Sequence, residues 1–252
     1  MSVKLFKYLT KGYFKQTVVL FAALTAATLL TVGAGHIDIP VFHIVSIVLM
    51  IASILLISAL FLVAFLLYFQ SILNCLYNRQ AGLIRLLPLE RSQIYWTLVV
   101  CALTISAIGT AIFAAWFLCI ANADIIPDMM DVFYGQDQLV VGLLLAFFCQ
   151  MCVVLITGMS AILLGYSRKS SKLGFSILFG FVIYYVLEFV MVGLIFVIGM
   201  AAGFPIFDDS LVLTTGDIWS VLMLICALYV AAFALMAWID GRKVVRGVDI
   251  DG

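Results

Sequence analysis

Charge is what this sequence has least of. Thirteen residues are basic and 13 acidic, 10% of the 252, against 66% that are hydrophobic. Soluble domains carry about 25% charged residues, and the mean hydropathy here is +1.28, so a soluble globular class is excluded. Catalytic signatures are missing as well. There is no Gly-x-x-x-x-Gly-Lys-Ser/Thr run, so the chain binds no ATP by a phosphate loop, and neither His-Glu-x-x-His nor Gly-x-Ser-x-Gly occurs. Cysteine gives no disulfide framework: Cys101, Cys119, Cys149, Cys152 and Cys226 fall inside apolar runs and Cys75 beside one. Cys149-x-x-Cys152 has no His or carboxylate near it in sequence, so two packing cysteines is a better reading than a redox or metal pair. An enzyme is not expected, nor a cofactor or metal held by this chain.

The few charges are ordered. All 13 bases fall in four clusters: Lys4/Lys7/Lys11/Lys15, Arg79/Arg85/Arg91, Arg168/Lys169/Lys172 and Arg242/Lys243/Arg246. Two long apolar runs separate each cluster from the next. Cytoplasmic loops retain Lys and Arg, so all four clusters belong on one side, and an even number of spans must lie between them. The acids agree. Asp38, Asp124, Asp128, Asp131, Asp137, Asp208, Asp209 and Asp217 fall on the other side with no base among them. Inside, 13 bases face Glu90, Asp240, Asp249 and Asp251, an excess of nine that the net charge of zero conceals.

The expected fold is therefore an all-α polytopic membrane protein, a bundle of six spans with both ends inside. A span needs about 20 apolar residues, which places them near 17–34, 44–68, 95–121, 138–165, 174–203 and 218–239. Trp96 and Trp238 fall at the inner interface, Trp116 and Trp219 near the outer one, the depth indole prefers. The stretch 174–203 is too long for an upright span, at about 45 Å. It either tilts or breaks after about Gly193 into a re-entrant outer element over 196–217, where Gly199, Gly203 and Pro205 follow. His36 and His43 flank the first outer loop and read as solvated.

Residues 2–16 form an amphipathic helix. With about 100° per residue, Lys4, Lys7, Lys11 and Lys15 share one narrow arc, and Leu5, Phe6, Leu9 and Tyr13 lie opposite. A basic face backed by apolar rings suits the headgroup region of an anionic leaflet. Lysines before an apolar run, with Gly33, Ala34 and Gly35 after it, look like a signal peptide, but the segment is read as retained and leading into span 1. Ala22/Ala26, Ala161/Gly165 and Gly199/Gly203 carry the small-x-x-x-small spacing that permits close helix approach.

The loop from about Phe69 to Ile94 is neither a plain connector nor a span. Leucines beside bases, among them Leu86, Leu87 and Leu89, mark a surface meant for another protein, and Pro88 is placed to begin a helix. Here the chain resembles the permease subunits of ABC-2 type exporters, many of which carry Leu-Pro-aliphatic-Ser-Arg-x-x-Ile before span 3. Leu87, Pro88, Leu89, Arg91 and Ile94 fit, Glu90 replaces the small hydroxyl residue, and Leu98 stands where a lysine is usual. The resemblance implies that 79–94 contain a coupling helix, with Arg85, Leu87, Pro88, Leu89, Glu90, Arg91 and Ile94 docking on a separately encoded ATP-binding subunit. ATP and Mg would be held by that partner, not by this chain. It also implies a second permease chain, the same or related, and a multi-pass place in a bacterial plasma membrane. No nucleic-acid partner is expected.

Within the hydrocarbon the sequence shows one clear ionisable residue, Glu188, with Tyr184 one turn before it on the same face. Such a residue usually faces the protein interior. Two readings stand open: a lining residue or protonatable gate of a transport path, and a neutral acid satisfied at a helix contact. The resemblance implies export of a hydrophobic or amphipathic cargo, such as a peptide, a drug or a lipid-linked molecule. A proton-coupled carrier or channel using Glu188 is the alternative, and a membrane enzyme or assembly factor the third.

Overall fold

A computed structural model describes residues 3–35, 40–77, 90–121, 137–166, 171–201 and 215–245. Among them the chain is entirely helical: α1 (Val3–Gly35), α2 (Pro40–Leu76), α3 (Arg91–Ala121), α4 (Asp137–Tyr166), α5 (Lys172–Ala201) and α6 (Thr215–Val245). Helices α2 to α6 are each long and apolar enough to cross a membrane, while the apolar part of α1 is the shorter Phe21–Ala34. These are the marks of a multi-pass membrane protein. In hydrocarbon no water satisfies the backbone, so each crossing segment must close its own hydrogen bonds. Hydroxyls enter the helices on the same terms. Thr28 donates to the Leu24 carbonyl (2.8 Å), Thr31 to Ala27 (2.7 Å) and Thr104 to Val100 (2.8 Å), back-bonds that hide a polar group against its own helix.

Neighbouring helices run in opposite directions, and two apolar cores record this. One gathers the ends of α2 (Tyr68, Ile72, Cys75), α4 (Leu155, Ile156, Met159) and α6 (Ala237, Val244) with the start of α3 (Ile94, Tyr95, Leu98); Phe6, at the start of α1, packs against it. Arg91, Lys172, Arg242 and Lys243 stand at helix ends on this side, which we call the basic end. Toward the opposite end, Leu24, Ile57 and Leu60 pack with Phe61, Phe113 and Trp116. Helices α3 and α4 occupy the middle, with α1 and α2 to one side and α5 and α6 to the other.

Three segments differ from the sequence expectation. Helix α2 continues to Leu76, well past 68. Gln70, Ser71 and Asn74 look like loop residues, but Ile72, Cys75 and Leu76 keep a helical spacing and are buried, and Ser71 donates back to Leu67 (2.9 Å). Helix α5 runs unbroken through Gly193 and Gly199 to Ala201; residues 202–214, most of the re-entrant element, lie outside the described residues. Helix α1 is a single helix through the boundary at 16 and 17, where the sequence reading separated an interfacial helix from a span.

Glycines set how closely the helices approach. A Cβ on Gly109 would stand 2.6 Å from the Phe61 ring, and Gly142, Gly158 and Gly241 are likewise covered by Trp219, Phe69 and Tyr95. The tightest seat is Gly165, where α4 meets the backbone of α5: a Cβ there would come within 2.6 Å of the Ser176 Cα. A backbone cannot rotate away as a ring can. Gly165→Ala is therefore expected to cost about 1–3 kcal/mol of stability by overpacking, whereas Gly174→Ala, with nothing within 4 Å, is neutral or stabilising. Thermal unfolding of the two variants in detergent checks this, and equal behaviour would remove Gly165 as a packing determinant.

Candidate functional site

Two polar centres interrupt the apolar interior. The first lies about halfway along α5, roughly 24 Å from its start at 1.5 Å per residue. Glu188 is half-buried there, and the Tyr229 hydroxyl from α6 donates to both of its carboxylate oxygens, at 3.3 and 3.2 Å. Tyr184 lies beside the carboxylate on α5 and reaches Gln150 on α4 as well. Sequence spacing found Tyr184. It gave no sign of Tyr229, which is 41 residues away on another helix. The cluster thus ties α4, α5 and α6 together at a depth where an unpaired polar group would be costly.

Beside it runs an open groove lined by Tyr185, Val186, Glu188, Phe189 and Val192. The groove is hydrocarbon almost throughout, and Glu188 contributes its aliphatic stem while its oxygens turn to Tyr229. Helix α5 is the least enclosed of the five long apolar helices. Only Ser176, Met191 and Gly199 are buried along it, and Phe189 is 82% exposed.

The second centre was not foreseen. Asp240, counted in the sequence among the inner charges, is 2% exposed. Ser160 of α4 donates to its Oδ2. One turn earlier on α6, the Ala237 carbonyl accepts from the Tyr95 hydroxyl of α3 at 2.6 Å. Nearby, just past the end of α2, the Tyr77 ring packs tilted against Tyr166 with centroids 4.5 Å apart. Burial first, then the neighbouring Tyr166 and Asp240, push the Tyr77 phenol up to about 12, so it is a neutral hydroxyl at physiological pH. The signal for Asp240 was faint: it follows Trp238 and Ile239 directly and precedes Gly241, a site for close approach.

Of the expected docking residues, Arg85, Leu87, Pro88 and Leu89 lie outside the described residues. Glu90 and Arg91 are exposed. Ile94 is not on that surface: it is buried in the core of the basic end, because the helix that starts at Arg91 turns position 94 inward. Glu90, just before α3, caps its first turn by accepting from the Gln93 and Ile94 amides (2.9 and 3.3 Å) and from the Ser92 hydroxyl (3.3 Å). Lys4, Lys7, Lys11 and Lys15 all lie on α1, and Lys7 is exposed; the side chains of the other three lie outside the described set. Among the described residues no His, Cys, Asp and Glu group has the makings of a metal site. Cys149 and Cys152 are free and buried.

Removing the hydroxyl in Tyr229→Phe is expected to destabilise the protein by about 0.6–2 kcal/mol, the range for interhelical hydrogen bonds in membranes. In Glu188→Leu the same substitution should cost nothing further, and a double-mutant cycle from detergent unfolding reads the coupling; additive effects would show that the pair does not interact. Compared with family models, with curated proteins and with solved structures, the chain matches none, so its function is argued from these two centres and the segment beside them.

Proposed function

We propose that this chain is the membrane-spanning permease subunit of an ABC-2 type exporter, with six spans, both ends in the cytoplasm and the basic end inward. In this reading it sits in a bacterial plasma membrane and pairs with a second permease chain. Two separately encoded ATP-binding subunits hold ATP and Mg and drive alternating access by favouring one arrangement of the spans over the other. The cargo class is hydrophobic or amphipathic.

The observation that carries the reading is the way the start of α3 enters the bundle. The run Leu87-Pro88-Leu89-Glu90-Arg91 ends in exposed residues, and three to four residues later Ile94 and Tyr95 are in the core. A push on Glu90 or Arg91 is delivered to buried side chains within one helical turn, which is what a docking element must do. The basic residues at the ends of α3, α5 and α6 support the orientation. The open apolar face of α5 suits lipid or a second permease chain.

Gentle purification of the tagged chain from its native membrane, followed by mass spectrometry, tests the proposal. A phosphate-loop ATPase is expected with the wild type and is expected to be lost from Leu89→Asp/Arg91→Glu. An ATPase-free preparation, under conditions that keep other membrane complexes intact, would sink the reading.

One observation favours the alternative, a proton-coupled carrier: Glu188 sits at mid-depth with Tyr184, Tyr229 and Gln150 around it. Under the exporter reading Glu188→Gln, which keeps an acceptor for Tyr229, leaves ATP-dependent cargo efflux from cells within about twofold of the wild type, a change worth less than about 0.5 kcal/mol. Loss of efflux in a normally assembled Glu188→Gln protein would favour the carrier.

A further inference from the structure

The last two turns of α6 grip two other helices at once. Toward α3, Tyr95 is 1% exposed, gives its hydroxyl to the Ala237 carbonyl at 2.6 Å, and lays its ring where a Cβ on Gly241 would stand 3.2 Å away. Toward α4, Asp240 accepts from Ser160. Ala237, Asp240 and Gly241 belong to one stretch of helix, so α3 and α4 are both fixed to the same piece of α6.

On the input side, Tyr95 follows Arg91 by one turn, and the first amides of that turn are held by the Glu90 carbonyl. On the output side, Ser160 has one hydrogen and two acceptors in reach, Asp240 and the Ile156 carbonyl at 3.1 Å. Serine therefore has somewhere to go when Asp240 moves away. It falls back to its own helix and the bond between α4 and α6 is broken without stranding a buried donor. Asp240 has no such fallback on its own helix among the described contacts; the nearby charge is Lys243, three residues on. Breaking the contact therefore costs the Asp240 side alone, where Lys243 offsets part of the loss, so it is easier to make and break than a bond that would strand both partners.

We propose that Asp240 is a positioning residue, the latch through which displacement of Glu90 and Arg91 at the start of α3 is passed by way of Tyr95 and α6 to α4. This rests on the exporter reading above. Asp240 touches neither nucleotide nor cargo in this role. It sets whether α4 follows α6 when the start of α3 moves.

Cys75 supplies an internal reporter. It is buried in the same core, on α2 beside the start of α3. In a form that keeps Cys75 and replaces the other five cysteines, the complex purified with its ATPase is treated with N-ethylmaleimide, with and without ATP and vanadate. In the wild type, labelling is slow and changes with nucleotide. Asp240→Ala and the smaller change Ser160→Ala should each label about tenfold faster without nucleotide, equivalent to about 1.4 kcal/mol, and should no longer respond to it. Asp240→Asn keeps an acceptor for Ser160 and should restore both the slow rate and the response, which a purely structural loss would not do. A nucleotide response in Asp240→Ala and Ser160→Ala equal to the wild type overturns the latch and leaves the exporter reading standing. A wild-type preparation without an ATPase overturns that reading and the latch with it.

Discussion

Aromatic rings seated on glycines hold four helices of this bundle, α2, α3, α4 and α6, together. Phe61 of α2 covers Gly109 of α3, Phe69 of α2 covers Gly158 of α4, Trp219 of α6 covers Gly142 of α4, and Tyr95 of α3 covers Gly241 of α6. In lipid two apolar helices gain nothing by leaving the solvent for each other, since the solvent is as apolar as they are. What remains is dispersion between closely fitted surfaces, and a ring laid against a bare backbone gives such a fit between two helices. Four helix pairs are joined this way, and the Asp240 centre sits between helices whose spacing these seats determine.

The polar centres add direction to that packing. A ring on a glycine fixes distance but tolerates rotation, whereas a hydroxyl aimed at one carbonyl or carboxylate does not. Tyr68 donates to the Leu98 carbonyl (3.2 Å) and Trp116 to Ser53 (3.0 Å), one toward each end of the bundle. With the bonds at Glu188 and Asp240 they pin helix rotation at several depths. Helix α5 is the exception. Its seat at Gly165 lies near its start and its one hydrogen-bonded centre is halfway along, which leaves most of its length open.

What could be read from the sequence follows from which forces are local. Helix positions were legible because apolar length and the placement of bases decide them, and Tyr184 was legible because it is one turn from Glu188. The end of α2 was missed because Gln70, Ser71 and Asn74 are polar, although in the fold Ile72, Cys75 and Leu76 beside them are buried. Tyr229 and Ser160 were out of reach because each meets its carboxylate across 41 or 80 residues of chain. The burial of Asp240 was out of reach for a related reason. Charge counting assigns a carboxylate to a side of the membrane, and only the packing of α3 and α4 against α6 shows that this one is shielded from water. Ile94 was read as part of a surface because its neighbours Glu90 and Arg91 are, yet helical rotation within one turn separates them.

The fork at Ser160 has a consequence for how the protein is made. Helix α4 is synthesised 80 residues ahead of Asp240, so Ser160 enters the bilayer long before its partner exists. The Ile156 carbonyl is in reach throughout, and the hydroxyl can wait there without a penalty in hydrocarbon. Asp240 arrives near the end of the last described helix, close to Arg242 and Lys243, whose charges can shelter a carboxylate until α4 receives it. The order of the chain thus lets each half of a buried polar pair be sheltered during insertion, and their union comes among the last events of assembly.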